Sequence, residues 1–234
     1  MISICEVFYS IQGEGMTMGK PSVFLRLAGC NLLCGGRGTQ HDGALHDGAT
    51  WRCDTIELWM KGQSKTYEEV FSAEQLQQLR DGAHLVITGG EPLLQQDQLA
   101  GLLDYLKENG AEPYTEVETN GTIASQLDLD QYNISPKLRN SGVSQPDRYK
   151  LEVLKALSSH HSQFKFVISR EDDWKEIEDD FSFIPAEKIW LMPAGEDQSK
   201  LAITRPIAVE LAKKHGVNYS DRLQIVVWNR RTGV

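Results

Sequence analysis

The chain has 234 residues, with 24 Lys and Arg against 33 Asp and Glu, a net charge of −9, and 40% hydrophobic residues. At roughly 150 residues per domain that is one large unit or two small ones, enough chain to bury a core without disulfide staples. The acidic balance excludes a protein that coats nucleic acid with a basic face, no apolar run reaches the roughly 18 residues of a membrane span, and the N-terminus lacks a signal peptide's basic start and apolar stretch.

In chain order, β-rich runs alternate with helical patterns. Residues 22–27, 84–88, 114–118, 164–168, 189–192 and 222–227 read as strands. Ser72 and Gln75 form a capping box, opening a helix with Leu76 and Leu79 on its apolar edge. Within residues 98–109, Leu99, Leu102, Leu103 and Leu106 recur at i, i+3, i+4 and i+7, and Gly110 follows as a stop. Residues 147–159 and 206–215 repeat the helical pattern, the second closed by Gly216. This alternation implies an α/β fold whose parallel sheet is an open or truncated (β/α) barrel, since seven or so strands are too few for a complete eight-fold barrel. With no repeat and no linker, a single domain over residues 1–234 is expected. Residues 35–52 break the rhythm, with five glycines, two histidines and no periodicity. A loop that long in a compact domain is usually functional or mobile.

The four cysteines are Cys5, Cys30, Cys34 and Cys53, all in the first quarter of the chain. In a reducing cytoplasm, clustered thiols are more often metal ligands or catalysts than disulfides. Cys30-Asn-Leu-Leu-Cys34 follows a strand end, and eighteen residues separate it from Cys53-Asp-Thr55. Three thiolates are one short of a closed site, and an iron–sulfur cluster held by three leaves one iron open for another ligand. By spacing alone, a Cys3His zinc site using His41 or His46 competes. Cys5 reads as a small buried apolar residue. Thr88-Gly-Gly-Glu-Pro92 falls at a strand's C-terminal end, where open α/β sheets bind ligands. Its glycines permit close backbone approach and its carboxylate can accept from an ammonium, although a plain strand-to-helix turn uses the same letters.

Taken together the motifs become specific. C-x3-C beside Gly-Gly-Glu resembles the radical S-adenosylmethionine (SAM) signature, with the third cysteine displaced by the glycine-rich insertion. Gln12-Gly-Glu-Gly15, residues 24–31 around Arg26, Cys53-Asp-Thr55, Thr88-Gly-Gly-Glu-Pro92, Glu118-Thr-Asn-Gly-Thr122 and Ser135-Pro-Lys137 occur in the order that resembles the 7-carboxy-7-deazaguanine synthase family. The likeness spans about residues 6–137 and thins beyond.

The resemblance implies conversion of 6-carboxy-5,6,7,8-tetrahydropterin to 7-carboxy-7-deazaguanine with loss of ammonia, in 7-deazapurine biosynthesis. It implies a 4Fe-4S cluster on Cys30, Cys34 and Cys53, SAM against Gly89, Gly90, Glu91, Ser135, Pro136 and Lys137, and Mg²⁺ on the Thr55 hydroxyl. The bland alternative for Thr55 is a helix N-cap. Gln12, Gly13, Glu14, Arg26, Thr88, Glu118 and Asn120 would hold the pterin, Arg26 through a planar fork suited to a carboxylate. Arg26 in an ordinary strand salt bridge is the competing reading. A flavodoxin-type reductant and a homodimer are implied as well. Family members commonly end in a Gln-Thr-His-Lys-like strand over the substrate. Here residues 226–229 stand in that place, and the Val234 carboxylate or Arg230 would have to supply the contact. A radical SAM activase that forms a glycyl radical in a partner shares the cysteines and Gly-Gly-Glu, but has no reason to carry Gln12-Gly-Glu-Gly15 with Arg26 and Thr55. A non-catalytic zinc module is the alternative from another class.

Overall fold

The computed structural model describes residues 1–40, 43–231 and 233–234. Its strands are β1 (Ile2–Ile11), β2 (Pro21–Leu27), β3 (Gln63–Lys65), β4 (His84–Gly89), β5 (Thr115–Thr119), β6 (Gln131–Ile134), β7 (Ser162–Ile168), β8 (Ile189–Pro193) and β9 (Asn218–Tyr219). They form one sheet in the order β3-β1-β2-β4-β5-β6-β7-β8-β9. From β2 and β4 through β9 every neighbouring pair is parallel, while β1 runs antiparallel to β2 and β3. The helices are α1 (Ile56–Trp59), α2 (Ala73–Arg80), α3 (Gln96–Glu108), α4 (Gln145–Arg148), α5 (Leu151–Ser158), α6 (Asp173–Asp180), α7 (Gln198–His215) and α8 (Leu223–Trp228). The expected α/β class with a mostly parallel sheet is what the chain adopts.

The two faces of the sheet have opposite chemistry, and the two-residue period of a strand puts them there. On one face Val23, Leu25, Leu27, Leu85, Ile87, Val117, Tyr132, Ile134, Phe164, Phe166 and Ile168 are fully buried. They meet Leu79 of α2, Leu99, Leu102 and Leu106 of α3, Leu154 and Leu157 of α5 and Leu211 of α7 in one apolar cluster. Each such aliphatic side chain contributes about 1.5–3 kcal/mol by leaving water. On the other face, most alternate residues of the same strands are polar, Phe24 and Val86 excepted. Glu116, Gln131, Asn133, Gln163 and Lys165 are buried there without an apolar partner layer.

Several expectations need correction. Residues 222–227, read as a strand from their β-branched run, form helix α8 instead. The edge place beside β8 is taken by β9, and only Ile225 of the run enters the core, at 4% exposure. Without a strand partner, β propensity has nothing to act through. The pattern over 147–159 is two helices, broken at Tyr149 and Lys150. Helix α7 begins at Gln198, eight residues before Pro206, which lies inside it. Strands β1, β3, β6 and β9 were not read, so the described residues hold nine strands rather than seven or so. Cys5 is half-buried rather than buried. It sits where the β1–β2 register slips between Ile4 and Glu6, the extra residue of a bulge.

Candidate active site

The site grows from the polar face of the sheet. Register pairs Glu6 with Arg26, Arg26 with Thr88, Glu118 with Asn133, and Asn133 with Gln163. Carrying the Val86–Glu116 register two residues on sets Thr88 level with Glu118. One row of polar side chains therefore crosses β1, β2, β4, β5, β6 and β7, assembled from residues spread over more than 150 positions of sequence.

The β1–β2 connection folds over this row. Gln12 is buried, and its Nε2 donates to Glu118 Oε1 at 3.4 Å and Glu116 Oε2 at 3.5 Å. Glu14 receives Lys165 Nζ at 2.9 Å, Arg222 Nε at 3.1 Å and Gln224 Nε2 at 2.8 Å. Lys165 also donates to Glu118 Oε2 at 2.7 Å. Burial alone would raise the Glu14 carboxyl, but Lys165 and Arg222 outweigh it and hold it well below the usual carboxylate range. For Glu118 burial wins, and its carboxyl is pushed up against the pull of Lys165. The glycines of Gln12-Gly-Glu-Gly15 have packing reasons. A Cβ on Gly13 would collide with the Gln224 amide, and Gly15, at φ +71°, lies against the Gln163 amide. Below them Glu116 Oε2 accepts from Thr17 at 2.6 Å and Asn133 at 3.0 Å, and its Oε1 lies 2.6 Å from His84 Nδ1.

Arg26 reaches the row from its outer side. Its Nε donates to Glu6 Oε1 at 2.7 Å, and its guanidinium lies 5.9 Å from the Phe8 ring centroid, the ring that stacks on Phe24. Val234 meets β1, where Ser10 donates its hydroxyl hydrogen to the Val234 carbonyl.

The thiols occupy the C-terminal end of β2. Cys30, Cys34 and Cys53 are free, and the Cys53 N–H donates to the Cys34 carbonyl at 3.2 Å. Burial pushes the Cys34 thiol up to about 12 and raises Cys30; Lys137 opposes both shifts, while the neighbouring thiols add to them. Desolvated thiols beside one another suit a cationic metal group that takes them as thiolates. Among the described residues no three His, Cys, Asp or Glu side chains close around a single ion. His41 lies outside the described residues, and His46 is exposed. The Gly89-Gly90 turn is pressed onto this end: a Cβ on Gly90 would strike the Gly29 carbonyl and Cys30, and Gly89 adopts φ +148° against Leu27. The donor set and this cradle fit an iron–sulfur cluster.

Glu91 is fully buried. Its carboxylate accepts from Leu93 N at 3.1 Å, Thr119 Oγ1 at 2.8 Å and Asn120 N at 2.7 Å, and burial raises its carboxyl despite these bonds. Asn120 donates to Asn31 Oδ1 at 2.9 Å and accepts from Thr122, so it ties β5 to the cysteine loop rather than facing Glu118. Lys137 Nζ donates to Ser135 Oγ at 2.9 Å and lies 5.9 Å from the Trp51 ring centroid. Thr55 stands at the N-cap position of α1 with no side-chain cap hydrogen bond; its Oγ1 lies 3.4 Å from Cys53 Sγ. Asp54 accepts from Arg222 at 2.7 Å, which joins the cysteine loop to α8.

Sequence reasoning missed Glu116, Asn133, Gln163, Lys165, Arg222 and Gln224. For most the signal was present: Glu116 and Glu118, or Gln163 and Lys165, are polar residues two apart inside buried strands. Arg222 and Gln224 show the same spacing, but their run is the helix α8 and not a strand of the sheet, so the spacing did not place them at the site.

An open α/β sheet with free thiols at one strand end and a buried acid–base network beside them defines an enzyme scaffold built around a thiolate-bound group. The comparisons specify it. A family model described as "4Fe-4S single cluster domain" matches residues 11–139, over half of the chain. The 7-carboxy-7-deazaguanine synthase of Halobacterium salinarum is 33% identical, with 97% of this chain and 91% of that protein aligned. That of Pyrobaculum aerophilum is also 33% identical, over 99% of this chain and 97% of the relative. The crystal structure of QueE from Escherichia coli shares the fold, with a TM-score of 0.63 at 24% identity over 95% of this chain and 94% of that one. The chain belongs to the 7-carboxy-7-deazaguanine synthase family of radical SAM enzymes.

Proposed function

We propose that this enzyme converts 6-carboxy-5,6,7,8-tetrahydropterin to 7-carboxy-7-deazaguanine and ammonia, in the 7-deazapurine pathway that leads to queuosine. The observation that carries the reading is the row Arg26, Thr88, Glu118 with Gln12 and Glu14 folded onto it, next to three thiols. A pterin offers adjacent N–H donors along one edge and a carboxylate on the other ring. Glu14, Glu118 and Gln12 supply the acceptors for the edge, and Arg26 supplies a fork for the carboxylate once it releases Glu6. Thr88 and Asn120 complete the set proposed for the substrate, with Gly13 giving the loop its close approach.

Cys30, Cys34 and Cys53 would hold the 4Fe-4S cluster, and Gly89, Gly90, Glu91, Ser135, Pro136 and Lys137 would surround SAM. When bound, these groups supply one-electron chemistry, with a flavodoxin-type protein as the proposed reductant. The chain's own part is to hold the substrate beside them and exclude water. Lys137 puts a cation beside the thiols and Glu91, which suits a carboxylate ligand. Thr55, whose hydroxyl makes no capping bond, is proposed to bind Mg²⁺, an ion that takes few protein ligands. We read the sheet as the truncated barrel of radical SAM enzymes, one domain over the chain, in a cytoplasmic homodimer. Among the described residues no helix is long and apolar enough to cross a membrane.

The test is an anaerobic assay of reconstituted protein with SAM, dithionite and 6-carboxy-5,6,7,8-tetrahydropterin. Formation of 7-carboxy-7-deazaguanine is expected. SAM cleavage without that product would overturn the substrate assignment.

A further inference from the structure

We propose that Lys165 is a positioning residue that keeps Glu14 and Glu118 apart as the acceptor pair for the substrate's N–H edge. The inference deepens the pterin reading above and rests on it. Lys165 is 1% exposed and lies on the polar face of β7, two residues after Gln163. Strands lie about 4.8 Å apart, so its ammonium reaches across the whole of β6 to meet Glu118 on β5. Few side chains other than a straight, four-carbon stem can make that span.

The division of labour among oxygens is regular. Each carboxylate gives its Oε2 to Lys165, at 2.9 Å for Glu14 and 2.7 Å for Glu118. Each Oε1 is met by other side chains: Arg222 and Gln224 at Glu14, Gln12 and Asn133 at Glu118. Glu14 comes from a loop and Glu118 from a strand, and no bond between them fixes their separation. The ammonium does so. The charged groups facing Lys165 are Glu14 from the β1–β2 loop, Glu118 and Glu116 from β5, and Arg222 from the segment before α8, with His84 of β4 beyond Glu116. With Asp54 on the far side of Arg222, four carboxylates meet two permanent cations, an acidic excess that favours a donor-rich heterocycle over an acceptor-rich one.

Removing the ammonium leaves two buried carboxylates side by side, and like charges in such a site share a proton. The acceptor pair would then contain a donor, and substrate affinity would become proton-linked. The test uses reconstituted holoenzyme carrying Lys165→Met or Lys165→Arg, assayed between pH 6.5 and 8.5. For Lys165→Met, KM for the carboxy-tetrahydropterin should rise by about tenfold or more, the scale of one lost charge-assisted hydrogen bond. That KM should climb further as pH falls, with kcat reduced less. Cluster absorbance and substrate-free SAM cleavage should match wild type. Lys165→Arg should recover most of the affinity and the flat profile. A double variant, Lys165→Met with Glu118→Gln, removes the buried repulsion and should melt above the single variant without restoring KM. Wild-type KM and pH profile in Lys165→Met would overturn the proposal, as would parallel loss of cluster and SAM cleavage, or an Arg variant no better than Met. Failure of the pterin reading is distinct, since wild type itself would then give no product.

Discussion

At the scale of single residues, the polar face assigns work by which bonds each group has already made. Thr55 sits where a helix cap belongs but makes no capping bond; its hydroxyl lies against Cys53 Sγ, and the proposed function gives it Mg²⁺. Thr55→Val should therefore keep the cluster and lower the melting temperature only slightly, while turnover falls steeply and added Mg²⁺ fails to restore it. Misplacing a reactant costs rate far more than stability. Thr55→Ser should retain part of the activity and of the Mg²⁺ response. An N-cap role would show the reverse, a stability loss of about 0.5–2 kcal/mol with Mg²⁺ dependence intact. Activity against Mg²⁺ beside thermal melts separates the two. The cysteines divide as sharply. Ala at Cys30, Cys34 or Cys53 should abolish the iron–sulfur absorbance, whereas Cys5→Ala, on the β1 bulge, should preserve it. Full turnover in Cys34→Ala would transfer the ligand role to a group in residues 35–52.

At the scale of elements, the ends of neighbouring strands are held at contact by missing side chains. Gly90 lets the β4 exit lie on Gly29 and Cys30, and the atoms a Cβ would meet there are mostly backbone. Gly90→Ala must part β4 from β2, so lower cluster content and a lower melting temperature are expected together. Gly13→Ala meets the far end of the flexible Gln224 side chain and should melt close to wild type. Similar losses in both variants would mean that the Gly90 approach is not specific to the thiol end. The described residues of the insertion, 35–40 and 43–52, are likewise seated on the fold. Gly35 N donates to Ser141 O and Thr50 N to Asn140 O, both at 2.9 Å, and Trp51 Nε1 donates to Asn140 Oδ1 at 2.8 Å. Both ends of the insertion, next to Cys34 and to Cys53, thus lie on the segment after β6.

At the scale of the whole molecule, one sheet separates a face that stabilises from a polar face proposed to bind the substrate. The stabilising face is apolar and indifferent to pH. The binding face carries ion pairs whose contribution depends on protonation. Because Glu14 is held below its unfolded value of about 4.3, its contribution is complete above that value and is lost as pH falls through the folded one. Urea midpoints measured from pH 7 to pH 3 should be flat near neutrality and drop on the acid side. Glu14→Gln should flatten that acid limb. An unchanged limb in the variant would place the acid sensitivity in other carboxylates.

Read without coordinates, the chain already declares its parallel sheet, the helices α2 and α3 with their caps, the three thiols and the Gly-Gly-Glu turn. These rest on local periodicity, capping and short spacing, which neighbours in sequence determine by themselves. Residues 222–227 show where that legibility stops: their β-branched run names a strand, but the place beside β8 is already held by β9, and the run turns into helix α8. Lys165 shows the same limit from the other side. Its burial is readable only once β7 has a place two strands from β5, because its partners come from positions 14 and 118. The row from Arg26 to Gln163 exists only through strand register, and register is set by packing across the whole sheet. Local propensity chose the elements, and long-range pairing of buried charge decided which of their residues form the site.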